Sequence, residues 1–171
     1  MNDENQFSNK DILATVRPFI RDLEVVDVEE EHIKFVIFNV GGNIYASYGS
    51  DVREILPDRE IYPVPFLPDY LPGLINVRGD IESVIDICVF LGGKRASEGK
   101  VLVMMVKRGG FCSGVIVDNI EDVVDMPPSS INPPLSTLCG TAKELISGTI
   151  EFSGTTVAIL DIEKLSAKVL I

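Results

Sequence analysis

GLINVRGDIESVIDI at residues 73–87 and GTIEFSGTTVAILDI at residues 148–162 follow one pattern: G-x-I-x-x-x-G, four residues, two aliphatic residues and then Asp-Ile. The first glycines of the two copies, Gly73 and Gly148, are 75 residues apart. Repetition at a fixed offset is typical of duplicated supersecondary units. We therefore predict that each copy belongs to one half of a two-lobed fold.

The duplication separates residues that both copies share from residues that only one copy has. The shared residues are expected to be architectural: Gly73 and Gly148, Gly79 and Gly154, Asp86 and Asp161. Arg78 stands where the second copy has Ser153. Because the second copy lacks the arginine, we expect Arg78 to serve function rather than folding.

The composition is that of an ordinary globular protein, with 46% hydrophobic and 24% charged residues in a chain of 171. The 15 Lys and Arg residues are outnumbered by 26 Asp and Glu residues, which gives a net charge of −11. Nucleic-acid binding needs clustered basic residues, so we predict no nucleic-acid partner. No run of about 18 apolar residues is present, which predicts no direct membrane insertion.

The cysteines bear on the compartment. Cys88, Cys112 and Cys139 form no C-x-x-C pair, and an odd number of such residues is typical of reduced thiols in a cytosolic protein. The N-terminus has no basic stretch followed by apolar residues, so no secretory leader is predicted. We therefore expect a cytoplasmic protein.

The residues between the repeats predict a mainly β fold. Residues 35–48 and 101–117 each read as two apolar strands around a Gly-rich turn, which is typical of hairpins. The Pro-rich stretches 61–68 and 126–134 are expected to be loops or edges. Short strands with Gly and Pro punctuation favour two small barrels that share a hydrophobic core.

The domain organisation follows the duplication. Residues 31–97 and 98–171 are predicted to form the two lobes, with the C-terminal segment able to pack back on the first lobe. Residues 1–30 are predicted to be an extension, partly helical because its apolar residues recur at helical spacing: Ile12, Val16, Phe19, Ile20 and Leu23. Asp86 and Asp161 each precede a short apolar segment, as a helix N-cap would.

No catalytic or metal site is evident. The single histidine, His32, follows three glutamates and is expected at the surface. The cysteines have no histidine at metal-ligand spacing. Asp86 and Asp161 could be the paired carboxylates of a small hydrolase, but a capping role accounts for both. We therefore predict no enzyme, no metal and no cofactor.

Arg78 has two interpretations from the residues alone. Turns are commonly polar, so Arg78 could be a solvated turn residue. Alternatively, its planar fork of donors, held on a strand-turn-strand support, could bind a carboxylate or a helix C-terminus of another protein. The second interpretation is consistent with the absence of the arginine from the other copy.

Several segments together resemble the CheW-like domain of bacterial chemotaxis coupling proteins. The G-x-I-N-x-R-G run at 73–79 is the most specific of them. The other segments are 35–38, 51–55, Pro63 to Pro68, Asp86-Ile87 with Leu91-Gly92, 115–118 and 159–162. The resemblance covers about Glu31 to Leu165.

The resemblance implies two five-stranded SH3-like barrels with a hydrophobic core between them. It also implies a non-enzymatic adaptor that links the cytoplasmic tips of chemoreceptors, the methyl-accepting chemotaxis proteins, to the regulatory domain of the histidine kinase CheA. Such an adaptor is cytoplasmic and is recruited to membrane-associated receptor arrays. The alternative is an adaptor of a divergent, non-flagellar chemosensory pathway with a different partner.

Carried over by position, the resemblance implies a receptor-facing site. Its residues are Arg78, with Gly73 and Asn76 in the same run, and Val52 and Glu54 after the first hairpin. Our hypothesis is that Arg78 anchors a carboxylate of the receptor tip while Val52 and Ile55 supply apolar contact beside it. For the kinase the family uses hydrophobic barrel ends, and no short motif locates these residues here.

Two departures from the family pattern bear on this expectation. Ser83 stands where the family usually has proline, which is expected to loosen its strand. Cys88-Val89-Phe90 replaces a segment that is often basic, so this element is expected to pack on the N-terminal helix or on a different partner.

Overall fold

The computed structural model describes residues 31–93, 101–138 and 140–170. The predicted helix within residues 1–30, the junction between the predicted lobes at 97/98, and Cys139 lie outside the described residues. Grouping of the chain by contacts separates residues 1–30 from residues 31–171. His32 is exposed, as expected for the lead-in to the first strand.

The described residues form ten strands and three short helices. The strands are β1 (Ile33–Val40), β2 (Asn43–Tyr48), β3 (Val52–Arg59), β4 (Gly73–Val77), β5 (Asp80–Ile85), β6 (Val101–Arg108), β7 (Phe111–Val117), β8 (Asn119–Met126), β9 (Ile146–Phe152) and β10 (Thr155–Leu160). The helices are α1 (Cys88–Leu91), α2 (Gly140–Leu145) and α3 (Ile162–Val169). Single 3-10 turns lie at Gly49–Asp51 and Pro128–Ser130.

The strands form two curled five-stranded sheets, which confirms the predicted fold class. Barrel A has the strand order β8-β1-β2-β10-β9, and barrel B has the order β3-β6-β7-β5-β4. The two halves of the sequence therefore do not form one barrel each, which corrects the expected division into lobes. Each half contributes strands to both barrels, because β10 pairs in parallel with β2 and β5 pairs in parallel with β7.

Isolated bridges draw the free ends of each sheet together. Tyr62 pairs with Leu74 in barrel B and Asn132 pairs with Thr149 in barrel A. Each bridge carries two backbone hydrogen bonds of 2.8–2.9 Å. The glycine before each bridged strand residue, Gly73 or Gly148, faces the opposing carbonyl so closely that a Cβ atom would meet it. These glycines of the repeat are therefore required by closure of the barrels.

Three apolar clusters lie within the described residues. The alternating side chains of β1 and β6 are divided between these clusters. Phe35 and Ile37 of β1 face the core of barrel A, and Val103 and Met105 of β6 face the core of barrel B. The intervening residues of both strands enter a central core between the barrels: Val36, Phe38, Val40, Met104 and Val106. Successive side chains of a strand point to opposite faces, so one strand serves two cores.

The strand pairing extends the duplication beyond the repeated motif. β3 pairs with β6 and β8 pairs with β1, and each pairing skips one residue, Arg53 or Glu121. This shared β-bulge makes Glu54 equivalent to Asp122, 68 residues later, because their partners Met105 and Ile37 are also equivalent. The repeated motif has the larger offset of 75 because the stretch from Asp122 to Gly148 is seven residues longer than the stretch from Glu54 to Gly73.

The aspartates of the repeat lie where helices begin. Asp161 Oδ1 accepts the backbone N–H groups of Glu163 and Lys164 at 2.9 and 3.1 Å and caps α3. Asp86 Oδ1 accepts the N–H of Cys88 at 3.1 Å, at the start of α1. The described geometry of both aspartates is therefore structural.

Both departures from the family pattern are accommodated within the domain. β5 is continuous through Ser83, whose hydroxyl lies 2.9 Å from that of Ser113, while Ser113 also donates to the Ser83 carbonyl. This bonding opposes the expected loosening of the strand. Cys88 is buried in the central core, and Phe90 packs on it and lies 5.0 Å from the Tyr70 ring. Only Val89 of that segment is exposed as a large apolar side chain.

Candidate protein-interaction site

Arg78 lies in the two-residue turn between β4 and β5. Arg78 and Gly79 have φ angles of 57° and 99°, and Ser153 and Gly154 have φ angles of 49° and 77° in the equivalent turn of barrel A. Because both copies share this left-handed conformation, which is typical of tight hairpins, the backbone geometry is architectural. Asn76 supports the turn, since its Oδ1 accepts the N–H of Gly79 at 2.8 Å.

The structure brings Arg78 and Glu54 together. Arg78 Nη2 donates to Glu54 Oε2 at 2.9 Å, and the arginine side chain is 79% exposed while the glutamate side chain is 16% exposed. Arg53 Nε lies 3.8 Å from the other oxygen of the same carboxylate. Glu54 thus holds the guanidinium at the surface, where its remaining donors can meet a partner.

Barrel A has an equivalent of the carboxylate of this pair but no equivalent of the arginine. Asp122 is the equivalent of Glu54 by strand register, and Ser153 is the equivalent of Arg78. The difference that the sequence indicated is therefore also a difference in the folded surface. Barrel B alone presents an arginine on this turn, opposite a carboxylate.

The apolar surroundings of Arg78 differ from the sequence-based hypothesis. Val52 is half-buried and packs on the central core, so it does not offer a free apolar surface. Ile55 is exposed, as the hypothesis requires. Ile81, which the sequence analysis missed, is also exposed and pairs with Asn76 across the β4–β5 hairpin. The sequence did contain a signal for an exposed Ile81, because this isoleucine stands between two acidic residues, Asp80 and Glu82, beside the turn.

Charged groups continue the site around the same end of barrel B. Burial raises the pKa of the Cys112 thiol, the Glu82 carboxylate adds to the rise, and the Arg53 guanidinium partly offsets it. A thiol with a raised pKa is mostly protonated at neutral pH and is a poor nucleophile. Cys112 packs against the core of barrel B at this end.

A second exposed feature, here called the apolar loop, comprises residues 62–67 between β3 and β4. Its large apolar side chains are all exposed: Tyr62, Val64, Phe66 and Leu67. Phe66 is fully exposed and has a left-handed φ of 65°. Asp58, Glu60 and Asp69 flank the loop and are exposed. Large contiguous apolar surface on a protein commonly marks an interaction site.

An open cleft of about 390 Å³ connects the two features. It is lined by Asp58, Arg59, Glu60, Tyr62, Ile75 and Asn76. Tyr62 belongs to the apolar loop and Asn76 supports the turn of Arg78. Barrel B therefore presents its charged part at the turn after β4 and its apolar part beside the start of β4, with the cleft between them.

Nothing in the described part of the chain is arranged for metal chemistry. Within residues 31–93, 101–138 and 140–170, no three His, Cys, Asp or Glu side chains are placed to hold a metal ion. Among the helices of those residues, none is long and apolar enough to cross a membrane.

Comparison with known proteins agrees with this geometry. The family model described as CheW-like domain matches residues 34–169. Chemotaxis protein CheW of Treponema pallidum is 25% identical over 81% of this chain and 84% of its own length. Protein FrzA of Myxococcus xanthus is 29% identical over 74% of this chain and 79% of its own length.

A solved structure gives the same result in three dimensions. The scaffolding protein TtCheW from Thermoanaerobacter tengcongensis matches with a TM-score of 0.69 and 28% identity, over 76% of this chain and 89% of that one. The resemblance found in the sequence is thereby confirmed. The chain belongs to the CheW-like domain family, whose members are non-enzymatic scaffold or adaptor proteins of chemotaxis.

Proposed function

We propose that this protein couples the cytoplasmic tips of chemoreceptors to the regulatory domain of the histidine kinase CheA, in the cytoplasm and at membrane-associated receptor arrays. The observation that carries the proposal is the Arg78–Glu54 pair of 2.9 Å, displayed on a turn of barrel B and absent from the equivalent turn of barrel A. The adaptor has no turnover, and its output is the proximity of two partners.

The receptor contact uses the charged part of the site. Arg78 offers five donors, and its exposure leaves room for a carboxylate of a receptor helix to join that of Glu54. Two exposed isoleucines lie on the strands that carry the pair: Ile55 follows Glu54 in β3, and Ile81 is the second residue of β5 after the Arg78 turn. A guanidinium fixed by one carboxylate is already oriented for a second one, which lowers the entropy lost on binding.

The kinase contact uses the apolar loop. Exposed aromatic side chains on a rigid support are typical anchors of protein interfaces, and Phe66 stands out fully from the surface. Pro63 and Pro65 within the loop and Pro68 directly after it restrict its backbone. Separate receptor and kinase surfaces allow one molecule to bridge both partners, and modest interfaces become effective when many bridges act together in an array.

Arg78→Asn is expected to weaken binding of a receptor cytoplasmic-tip fragment by about tenfold or more, because a hydrogen bond between charged groups contributes about 1.5–3 kcal/mol. Stability should change by less than about 1 kcal/mol, since an exposed ion pair contributes little. Asn also tolerates the left-handed backbone better than most residues. Calorimetric titration and thermal unfolding measure the two quantities.

Ser153→Asn is the matched control, because it makes the same residue at the equivalent turn of barrel A. It should leave receptor binding unchanged. Unaltered binding in Arg78→Asn, or equal weakening in both variants, would contradict the proposed receptor contact.

Phe66→Ala is expected to weaken binding of the CheA regulatory domain by about tenfold or more, as loss of a central aromatic anchor does. Receptor binding should stay the same, because Phe66 is not part of the Arg78–Glu54 pair. Val89→Ala, which truncates another exposed apolar residue on α1, serves as the control. A kinase affinity insensitive to Phe66 would rule out the apolar loop as the contact.

The second candidate is an adaptor of a divergent, non-flagellar chemosensory pathway with a different partner. It is supported by the similarity to Protein FrzA, whose identity to this chain is 29%, against 25% for chemotaxis protein CheW of Treponema pallidum. Co-purification of the full chain from its own cells distinguishes the candidates. Recovery of chemoreceptors together with CheA supports the first, and recovery of another signalling partner in place of CheA supports the second.

A further inference from the structure

Arg108, the last residue of β6, connects three elements of the domain. Its Nη1 donates to Asp51 Oδ1 at 2.9 Å, and its Nη2 lies 3.7 Å from Glu163 Oε2 in the first turn of α3. The Asp51 side chain is only 5% exposed. The hydrogen bond with Asp51 raises the pKa of the Arg108 guanidinium, which stays charged.

Asp51 directly precedes the strand that carries Glu54. Val52 pairs with Val106, two residues before Arg108 in β6, so the ion pair lies just before the first residue pair of the β3–β6 ladder. Directly after Val52, the ladder is interrupted by the bulge at Arg53. A bulge leaves its extra residue without a partner and lets the strand bend. The orientation of the backbone at the start of β3, just before the bulge, therefore affects the position of Glu54 just after it.

Barrel A holds the equivalent region differently. Asp118, which precedes β8, accepts the backbone N–H of Gly41 in the β1–β2 turn at 2.7 Å. Each of these aspartates thus binds the tip of the hairpin that starts in the other half of the sequence. Only the contact at Asp51 uses a side-chain cation, and only that contact directly precedes the strand whose Glu54 pairs with Arg78.

We propose that Arg108 is a positioning residue for the interaction site, acting through Asp51 on the start of β3 and so on the Glu54–Arg78 pair. This inference rests on the proposed function for its binding test, while its structural test is independent of any partner. Without the guanidinium, the carboxylate of Asp51 would be left buried without its ion pair, which is strongly unfavourable. The start of β3 would then shift toward water and carry Glu54 with it.

The structural test is NMR of the Arg78 Nε–Hε group in the full chain. Arg108→Gln should shift this resonance, although Arg108 does not contact Arg78. Lys107→Gln, a change of the neighbouring exposed residue on the same hairpin, should leave it unchanged. An unshifted Arg78 resonance in folded Arg108→Gln would overturn the proposal.

The binding test is a double-mutant cycle with the receptor-tip fragment. Arg108→Gln is expected to weaken binding about threefold to tenfold when Arg78 is present, and less than about twofold in the Arg78→Asn background, because coupled residues are not additive. Equal weakening in both backgrounds would show a purely structural role and overturn the proposal. If Arg78→Asn alone does not affect binding, the proposed function fails, and the NMR result then decides the positioning role.

The variant Asp51→Asn with Arg108→Gln guards against loss of folding in Arg108→Gln. It replaces a buried charge by a neutral amide pair that can hydrogen-bond. It should restore the Arg78 resonance and receptor binding to near the original values. A folded double variant that restores neither would contradict the proposed route through Asp51.

Discussion

Replacing Gly73 with alanine is expected to destabilise the protein by about 3 kcal/mol or more, or to prevent folding. The added Cβ would lie 2.2 Å from the Tyr62 carbonyl oxygen and 2.8 Å from its carbon. These are backbone atoms, so no side-chain rotation relieves the contact. Separation of the strands would break the two hydrogen bonds between Tyr62 and Leu74, and with them the closure of barrel B.

Chemical denaturation measures this loss, and two glycines provide a graded comparison. Gly148→Ala should cost less, because its Cβ would lie 2.8 Å from the Asn132 carbonyl oxygen in barrel A. Gly110→Ala should change the free energy of unfolding by less than about 0.5 kcal/mol, since nothing lies within 4 Å of its Cβ. Similar effects for all three substitutions would refute the assignment of Gly73 to barrel closure.

Phe38→Ala is expected to destabilise the protein by about 3–5 kcal/mol, the usual cost of deleting a buried aromatic side chain. Phe38 has no exposed surface and lies in the central core, with its ring centroid 6.2 Å from that of Tyr45. The central core is lined by strands of both barrels. A cavity there therefore weakens the packing of each barrel against the other, and unfolding should remain one cooperative transition at lower denaturant concentration.

Phe66→Ala is the matched control for this prediction, because it makes the same substitution at a fully exposed position. Stability should change by less than about 0.5 kcal/mol. The two phenylalanines thus differ in what they do: Phe38 supports the fold, and Phe66 is proposed to bind the kinase. Comparable destabilisation by the two substitutions would be inconsistent with their burial.

Much of the architecture could be predicted from short-range patterns. The period of the apolar residues indicated strands, and Gly and Pro placed the turns and loops. Asp161 caps α3 as its position before an apolar segment indicated. These features depend on residues within a few positions of one another, so a linear sequence contains the necessary information.

Strand exchange between the halves could not be predicted in the same way. The sequence divides at about residue 97 by similarity, whereas β8, β9 and β10 complete the barrel begun by β1 and β2. Sequence similarity between the halves shows which segments were duplicated. It does not show whether a strand pairs with strands of its own half or of the other half. Pairing is decided by which combination buries the apolar faces of all ten described strands at once.

The candidate site shows the same division. The contrast between Arg78 and Ser153 identified the arginine from sequence, and the resemblance added Glu54. Their contact, across 24 residues, depends on barrel B bringing β3 to the β4–β5 turn. The burial of Val52 and the exposure of Ile81 also depend on that packing, because strand alternation alone does not say which face is covered.

The sequence by itself determined that this protein is a duplicated, mainly β, CheW-like domain in which Arg78 is the unshared residue of the repeat. Only the tertiary structure decided that Arg78 is held by Glu54, that Gly73 closes barrel B, and that Arg108 binds Asp51, the residue before the strand of Glu54. The physical reason is the distance along the chain between the residues that interact. Turns, caps and strand periodicity follow from neighbouring residues, whereas ion pairs and barrel closure join residues that only the folded chain brings within a few ångströms.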